Sequence, residues 1–344
     1  MPKKPKSKTK KFLGIFFIGA GLISLYWVPW LLVGIWLTPR PDTVQEQLDK
    51  ALDYDLDGII VYVDKKGQEP EFYAAGWKDK ANEIPADPNS LFKIASVEKL
   101  YVAVAVNRLM FRGRLKMNAS LADCFPSYVG RIENAETITL NQIITHTSGI
   151  PNFTNFADYW NNPVGSNEEA VELILDQPAS FEPGTDYEYS NTNYVLLKMI
   201  IDKAVGYSYQ QYIREEFLEP LGLSDTYFSL DEIDMDRLMS GYYVGIERDM
   251  KTTDYGSMIA TAEDLGIFLR ALNEGLLFEK NEEFLYRYEY DHTGLIPGYQ
   301  TIAEYREGED AVVIQFVNTT NFSGLTWSVG EMVYNKVVKI ALNE

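Results

Sequence analysis

The sequence has very few of the residues that proteins use for covalent cross-links and for metal sites. Its 344 residues include one cysteine, Cys124, and two histidines, His146 and His292. A single cysteine excludes an internal disulfide framework, so the stability of the fold must come from packing. Two histidines exclude a zinc site with three histidine ligands, and a carboxylate-rich metal site has no support in the sequence.

Positive charge is scarce outside the N-terminal segment. Residues 1–40 hold six lysines, Arg40 and no acidic residue, which leaves 24 of the 31 basic residues and all 50 acidic residues to the remainder. The remainder thus has a formal net charge of −26, against −19 for the whole chain. Such a body repels polyanions, so no nucleic-acid partner is predicted. With 46% hydrophobic residues, the chain can bury a full core and is neither disordered nor collagen-like.

The N-terminal segment has the pattern of a membrane anchor. A lysine-rich tail, residues 1–11, precedes an uncharged and mostly apolar run over residues 12–38 that contains three tryptophans. As a continuous helix, its 26 apolar residues from Phe12 to Leu37 would be about 39 Å long, enough to cross a hydrocarbon core of about 30 Å. A cleaved signal peptide is the alternative, but the run is long for one and no small-x-small site follows it.

The positive-inside rule then gives the orientation of this anchor. We predict a single-pass membrane protein whose N-terminus is cytoplasmic and whose remaining chain is extracytoplasmic, either periplasmic or on the cell surface. The membrane, through the N-terminal helix, is thus one predicted partner.

Residues 43–344 read as one α/β (α+β) domain. Strands are predicted near both ends of this region and helices in between, with a mostly helical insert over roughly residues 115–240. We expect one antiparallel sheet built from both chain ends and flanked by helices. The predicted strands are Gly58–Val63, Glu71–Trp77, Tyr299–Tyr305 and Ala311–Val317. The main predicted helices are Val44–Leu52, Leu100–Met110, Leu140–Ile144, Ala170–Leu175, Tyr194–Ala204, Tyr209–Phe217, one with Thr261 as N-cap, and Trp327–Leu342.

The first candidate site is Ser96-Val97-Glu98-Lys99, directly before a buried apolar helix. Residues three apart lie on one helix face, so the hydroxyl of Ser96 and the amine of Lys99 can approach each other. Burial of Lys99 among apolar neighbours lowers its pKa toward a value that suits a base. Alone the spacing is weak evidence, since an N-cap serine beside a solvated lysine gives the same pattern.

Two further short motifs carry groups suited to a catalytic cleft. In an extended segment Tyr189 and Asn191 point the same way, which brings a phenol and an amide together. His292-Thr293-Gly294 precedes an apolar run, and at a strand edge Gly294 would let a substrate approach the main chain. Taken alone, each motif is better explained as structure: a capped loop before a helix, and a polar strand end.

Together and in this order, the three motifs resemble the serine β-lactamase and penicillin-binding superfamily, specifically its class C, DD-peptidase and esterase branch. The order in that family is S-x-x-K, Y-x-N and K/H-T/S-G. Four longer segments are also similar: Leu91–Ala95 before the serine, Thr139–Pro151 to LLTHTSGLP, Phe181–Tyr194 to PGTxFxYSNxNY, and Ser257–Leu269 to STAEDLARFL. The resemblance covers about residue 43 to the end and implies a β-lactamase/transpeptidase-like fold.

The resemblance also implies catalytic roles. Ser96 attacks a carbonyl and becomes an acyl-ester. Lys99 and Tyr189 share the work of general base and general acid, and the sequence leaves open which of them takes the serine proton. The backbone N–H groups of Ser96 and Leu295 form the oxyanion hole. No metal or organic cofactor is implied.

The other matched residues are implied to bind substrate or to shape the cleft. Asn191 binds the amide side of the substrate and the lysine network, and His292, Thr293 and Gly294 form the edge against which the substrate lies. His146 is expected to be a structural loop residue and not a base.

Two departures from the family pattern carry expectations of their own, and so does the histidine of the third motif. Only about 27 residues separate Leu265 from His292, so one wall of the pocket is expected to be missing or rebuilt. Glu98, which is unusual beside Lys99, is expected to be solvated or paired. His292 stands where most β-lactamases have lysine, and the negative charge of the domain is expected to raise its pKa above about 6.5, with Lys99 opposing.

The predicted function is therefore a membrane-anchored serine hydrolase that acts through an acyl-enzyme on a D-alanyl peptide, amide or ester outside the inner membrane. Its partners are a small peptide or ester substrate and the membrane. One alternative is a class C-like β-lactamase. An alternative of another class is a catalytically inactive, penicillin-binding-like module that only binds.

Overall fold

The computed structural model describes Phe16, residues 24–156 and residues 158–343. The chain divides into two compact units, Met1–Arg40 and Pro41–Glu344. In the first unit the described residues form a 3-10 turn, Leu25–Trp27, and the helix α1, Trp30–Leu37.

The predicted membrane anchor is contradicted. No helix among the described residues is both long and apolar enough to cross a bilayer. The backbone is extended at Val28 and leaves the helical region at Pro29, which has no N–H to continue a helix, so α1 begins anew at Trp30. Its eight residues span only about 12 Å. Of the predicted anchor and tail, residues 1–15 and 17–23 lie outside the described part. This finding contradicts the predicted single-pass topology, and the predicted extracytoplasmic location loses the span on which it rested.

The second unit is built on a six-stranded antiparallel sheet. Its strand order is β3-β2-β1-β10-β9-β8, so the two central strands come from opposite ends of the domain, with Ile59 opposite Val317. The predicted antiparallel sheet from both chain ends is confirmed. A three-stranded sheet (β4-β7-β5) and a parallel pair (β6-β11) accompany it. The strands are β1 Gly58–Lys65, β2 Glu71–Asp79, β3 Ile84–Pro85, β4 Phe92–Lys93, β5 Thr226–Tyr227, β6 Tyr242–Tyr243, β7 Ile259–Ala260, β8 His292–Ile296, β9 Tyr299–Arg306, β10 Ala311–Val317 and β11 Thr319–Thr320.

Side-chain caps begin many of the helices. Thr43, Ser120 and Thr139 each form a capping box, and Thr261 caps its helix as predicted. The helices of this unit are α2 Val44–Ala51, α3 Glu98–Phe111, α4 Leu121–Cys124, α5 Leu140–Ile144, α6 Asn167–Glu172, α7 Asn191–Val205, α8 Tyr209–Ile213, α9 Glu219–Leu221, α10 Ala262–Asn273 and α11 Leu325–Ala341, with a π-helical turn Arg214–Leu218 between α8 and α9.

Helices cover both faces of the large sheet. Tyr62 on β1 packs against Gly266 of α10, whereas Gln315 on β10 bonds the main chain at Gly330 of α11. Tyr62 lies opposite Ile314, the neighbour of Gln315, and successive side chains on a strand point to opposite faces. Helices α10 and α11 therefore lie on opposite faces, and strand β8 is left at one edge of the sheet, where the site is formed.

Candidate active site

The candidate nucleophile lies in a strained turn ahead of a buried helix. Ala95 has φ +51°, a left-handed value that is unusual for alanine, and a 3-10 turn Ala95–Val97 leads from it into α3. The hydroxyl oxygen of Ser257 accepts a hydrogen bond of 2.8 Å from the Ala95 N–H. Ser96 Oγ thereby faces Lys99, whose Nζ is 3.2 Å away. The approach of these two side chains, predicted from their spacing, is present.

Lys99 lies at the centre of the site. Its Nζ donates to Asn191 Oδ1 at 2.8 Å and lies over the rings of Tyr189 and Tyr194, 4.9 Å and 5.6 Å from their centroids. Burial lowers the pKa of Lys99 to about 7, Lys198 contributes to the lowering, and Glu98 opposes it. A substantial fraction of this amine is thus neutral near pH 7 and able to accept a proton.

The tyrosine of the second motif faces the same serine. The Tyr189 hydroxyl is buried and has no hydrogen-bond partner among the described residues. Burial raises the pKa of the Tyr189 phenol above its usual value, and the Ser96 hydroxyl opposes this rise. The phenol is therefore protonated at neutral pH and is available as a proton donor.

Asn191 begins α7, and two residues that the sequence reasoning missed hold it in place. Asn152 Oδ1 accepts from the Asn191 N–H at 3.1 Å, and the Asn191 side-chain amide nitrogen is 3.2 Å from Thr154 Oγ1. Both lie within three residues after the segment Thr139–Pro151, whose family likeness was the available signal. These contacts orient the Asn191 carbonyl oxygen toward Lys99.

His146 is a structural residue, as expected. It is 2% exposed and adopts φ +55° in the loop after α5. Its Nδ1 accepts from the Ser190 N–H at 3.2 Å, and its ring lies 4.6 Å from that of Tyr189. Desolvation, with Lys99 and His292 adding to it, lowers the pKa of His146 to about 3. The imidazole is therefore neutral and supports the Tyr189-Ser190-Asn191 segment.

The third motif forms the edge strand β8, with His292 buried and Thr293 exposed. His292 Nε2 is 2.8 Å from the hydroxyl of Tyr288, and its Nδ1 contacts the carbonyl oxygen of Thr293. Burial and nearby Lys99 lower the pKa of His292 to about 4. The expectation of a raised pKa is wrong, because loss of water around the ring outweighs the distant negative charge of the domain.

Gly294 lies close to the main chain that directly precedes Ser96. A Cβ atom at this position would lie 2.4 Å from the carbonyl oxygen of Ile94 and 3.0 Å from the Cβ of Ala95. The glycine thus lets β8 pack directly on the turn that carries Ser96.

A cavity of about 940 Å³ joins these groups. The predicted site residues that line it are Ser96, Lys99, Tyr189, Asn191, His292, Thr293 and Leu295. Its lining also includes Trp160, Tyr255, Glu98 and Lys198. Among the residues that the structure describes, no group of histidine, cysteine or acidic side chains is arranged to hold a metal ion.

Of the two alternatives for Glu98, the structure shows the paired one. Its carboxylate lies 2.6 Å from Lys198 Nζ, and both side chains are nine-tenths buried. Lys198 is on α7, seven residues after Asn191. The sequence offered no signal for this partner.

The short segment before β8 places a tyrosine against His292. Tyr288 packs against Tyr194 at 5.1 Å and stacks on His292 at 5.7 Å, measured between ring centroids. The expectation of a missing or rebuilt wall stays a prediction, because Tyr288 is not among the residues that line the cavity.

Comparison with known proteins gives a family. The family model described as beta-lactamase matches residues 42–289. Protein flp of Staphylococcus aureus is 30% identical over 190 residues, 54% of this chain and 38% of that protein. Penicillin-binding protein 4* of Bacillus subtilis is 30% identical over 158 residues, 45% of this chain and 34% of that protein. The chain thus spans well under half the length of these curated relatives.

Solved structures share the fold. The D-amino acid amidase from Ochrobactrum anthropi SV3 superposes with a TM-score of 0.76 at 23% identity, over 87% of this chain and 97% of the other. A class C beta-lactamase from Rhodobacter sphaeroides gives 0.69 at 18% identity, over 88% and 100%. With most of the chain matched by the family model and a common α+β architecture, the protein belongs to the beta-lactamase family of serine hydrolases.

Proposed function

We propose that the protein hydrolyses an amide or ester of the D-alanyl type through an acyl-enzyme on Ser96. The proposal rests on the contact between Ser96 Oγ and the buried amine of Lys99. Asn191 accepts a hydrogen bond from the same amine and so holds it in position. The likeness to a D-amino acid amidase from Ochrobactrum anthropi SV3, solved in complex with D-phenylalanine, supports an amide of a D-amino acid as the substrate class.

In the acylation step, the neutral amine of Lys99 takes the proton of Ser96 as Oγ attacks the substrate carbonyl. The depressed pKa of Lys99 and the raised pKa of Tyr189 favour the lysine as this base. The negative charge that develops on the carbonyl oxygen is accepted by the N–H groups of Ser96 and Leu295.

Collapse of the tetrahedral intermediate expels the leaving group. The Tyr189 phenol gives its proton to the departing nitrogen or oxygen and recovers one from the Lys99 ammonium. Water then attacks the ester carbonyl, with Lys99 again neutral and able to take its proton. The carboxylic acid product is released and Ser96 regains its proton. The reaction consumes no cofactor.

Active-site labelling tests the proposal. A fluorophosphonate should attach to Ser96 in the wild-type protein, and Ser96→Ala should abolish both the adduct and turnover of D-alanyl amides and esters. Ser148→Ala, which changes a buried serine outside the cavity lining, is the control for general reactivity. An adduct mapped to another serine, or a wild-type protein that folds but never labels, refutes the proposal and favours the binding-only alternative. Rapid turnover of a fluorescent penicillin in place of stable labelling favours the β-lactamase alternative.

A further inference from the structure

The hydroxyl of Tyr288 lies within hydrogen-bond distance of one ring nitrogen of His292. Tyr288 lies in the short segment between α10 and β8, with its oxygen 2.8 Å from His292 Nε2. The two rings stack at an interplanar angle of 26°, and the ring of Tyr194 packs against that of Tyr288 at 5.1 Å. His292 is buried and lines the cavity, so Tyr288 contacts a residue that belongs to the site.

The other ring nitrogen also has a partner, and that partner favours one tautomer. His292 Nδ1 lies against the carbonyl oxygen of Thr293, which can only accept a hydrogen bond. Nδ1 must therefore carry the proton, and Nε2 presents a lone pair that accepts from the phenol of Tyr288. The imidazole has no remaining N–H to offer to a substrate.

The groups around His292 reinforce this neutral state. Lys99 faces it from α3 and disfavours a second positive charge, and His146 lies near it from the loop after α5. The ring of Tyr189 is 6.3 Å away, and Tyr288 completes the surroundings. The position at which the family pattern has a lysine therefore holds an uncharged ring.

We propose that Tyr288 is a specificity-determining residue: by holding His292 Nε2, it keeps the imidazole from binding a substrate carboxylate. The proposal rests on the proposed function and narrows its substrate class. The site then prefers D-alanyl amides and esters with an uncharged leaving group over peptides whose leaving group ends in a free carboxylate.

Tyr288→Phe is the discriminating variant, because it removes one oxygen and keeps the ring packing. The substrates are two amides of the same N-acyl-D-alanine, one with an uncharged amine and one with D-alanine as leaving group. In the wild type, kcat/KM for the uncharged substrate should be about tenfold higher or more than for the carboxylate substrate. This is the effect expected when one charge-assisted hydrogen bond to the carboxylate is not made. In Tyr288→Phe this preference should shrink several-fold, mainly through a lower KM for the carboxylate substrate, and more at pH 5.5 than at pH 8.

Two matched variants complete the kinetic test. Tyr290→Phe alters a neighbouring phenol whose hydroxyl contacts Glu283, away from His292, and should keep the wild-type preference. His292→Lys should reverse the preference toward the carboxylate substrate at every pH. If Tyr288→Phe has the same ratio of kcat/KM values as wild type, Tyr288 does not set specificity and the proposal is overturned.

A second measurement is independent of turnover. Since the chain has only two histidines, ¹⁵N-histidine labelling gives two imidazoles, and His292→Gln assigns them. His292 should show a protonated Nδ1 and an unprotonated Nε2 at pH 7, and Tyr288→Phe should raise its pKa. If Ser96 is labelled but His292 is charged or has the opposite tautomer, the inference about Tyr288 is overturned and the proposed function is not. Failure of Ser96 to label, with the expected tautomer present, overturns the proposed function alone.

Discussion

The carboxylate of Glu98 and the ammonium of Lys198 form a buried ion pair, 2.6 Å apart, and Glu98 directly precedes the candidate catalytic residue Lys99 in the chain. The two charges act on Lys99 in opposite directions, since Glu98 raises its pKa and Lys198 lowers it. The pair therefore provides fine adjustment of an amine whose pKa is set mainly by burial.

The rate of acylation should follow the ionisation of Lys99. The amine accepts the Ser96 proton only when neutral, so the labelling rate should rise with pH and level off above its pKa of about 7. Below that value the rate should fall about tenfold per pH unit. Fluorophosphonate labelling between pH 5 and pH 9 measures this directly. A flat profile would show that Lys99 is not the base.

Removing one member of the Glu98–Lys198 pair should move that profile in a predictable direction. Glu98→Gln should shift the midpoint to lower pH, because the charge that favours the ammonium is lost, and Lys198→Met should shift it to higher pH. Each single variant leaves an uncompensated buried charge and should lose about 3–5 kcal/mol of stability, whereas the double variant should regain much of it.

Asp176→Asn is the control for these ion-pair variants. It breaks the exposed ion pair between Asp176 and Arg131, whose side chains are 59% and 50% accessible respectively. It should change neither the pH midpoint of labelling nor the denaturation midpoint appreciably. Equal and same-direction shifts in Glu98→Gln and Lys198→Met would contradict the electrostatic account.

Gly294→Ala should separate the edge strand from the nucleophile turn. The added methyl group meets the Ile94 carbonyl oxygen at 2.4 Å, so β8 must move. A shift of about 1 Å in catalytic geometry costs on the order of a hundredfold in rate, and overpacking costs about 1–3 kcal/mol in stability. Gly308→Ala, where a Cβ meets nothing within 4 Å, should be neutral in both measurements. Full activity of Gly294→Ala would show that the two segments need not touch.

Acid should destabilise the protein in part through His146. The pKa of this imidazole is about 3 in the folded state and near 6.5 when unfolded, so the unfolded chain binds the extra proton between these values. The free energy of unfolding should therefore rise with pH from about 3 to about 6.5, with His292 adding a second contribution above its pKa of about 4. Urea unfolding between pH 5 and pH 7 measures the slope.

His146→Asn is the informative variant for this slope. Asparagine tolerates the left-handed backbone of this position and can accept the Ser190 N–H, but it does not titrate. The slope of stability against pH should become about half as steep. A slope equal to that of wild type would show that His146 does not titrate on unfolding.

Part of this site, the contact between Ser96 and Lys99, could be predicted from the sequence because it depends on short-range geometry. Ser96 and Lys99 are one helical turn apart, so their proximity follows from local structure alone. The pairing of strands from the two chain ends followed from the order of strand and helix patterns, and β1 and β2 begin where predicted.

Contacts between distant parts of the chain were the ones that sequence patterns did not supply. Thr154 on Asn191, Lys198 on Glu98 and Tyr288 on His292 each depend on how separate elements pack in three dimensions. The pKa of His292 was misjudged for the same reason, because its burial is a tertiary property. At the N-terminus, hydropathy predicted one long helix, and the main-chain break at Pro29 prevailed over it.

The pairing of β1 with β10 has a consequence for how the protein folds. Ile59 meets Val317 at the centre of the sheet, and β8 reaches the sheet only through β9. On the ribosome, the turn bearing Ser96 emerges roughly 200 residues before these partners, so its surroundings stay incomplete until β8, β9 and β10 have also been translated. Such high contact order predicts slow, late folding, and a nascent chain arrested before β10 should carry the nucleophile without hydrolytic activity.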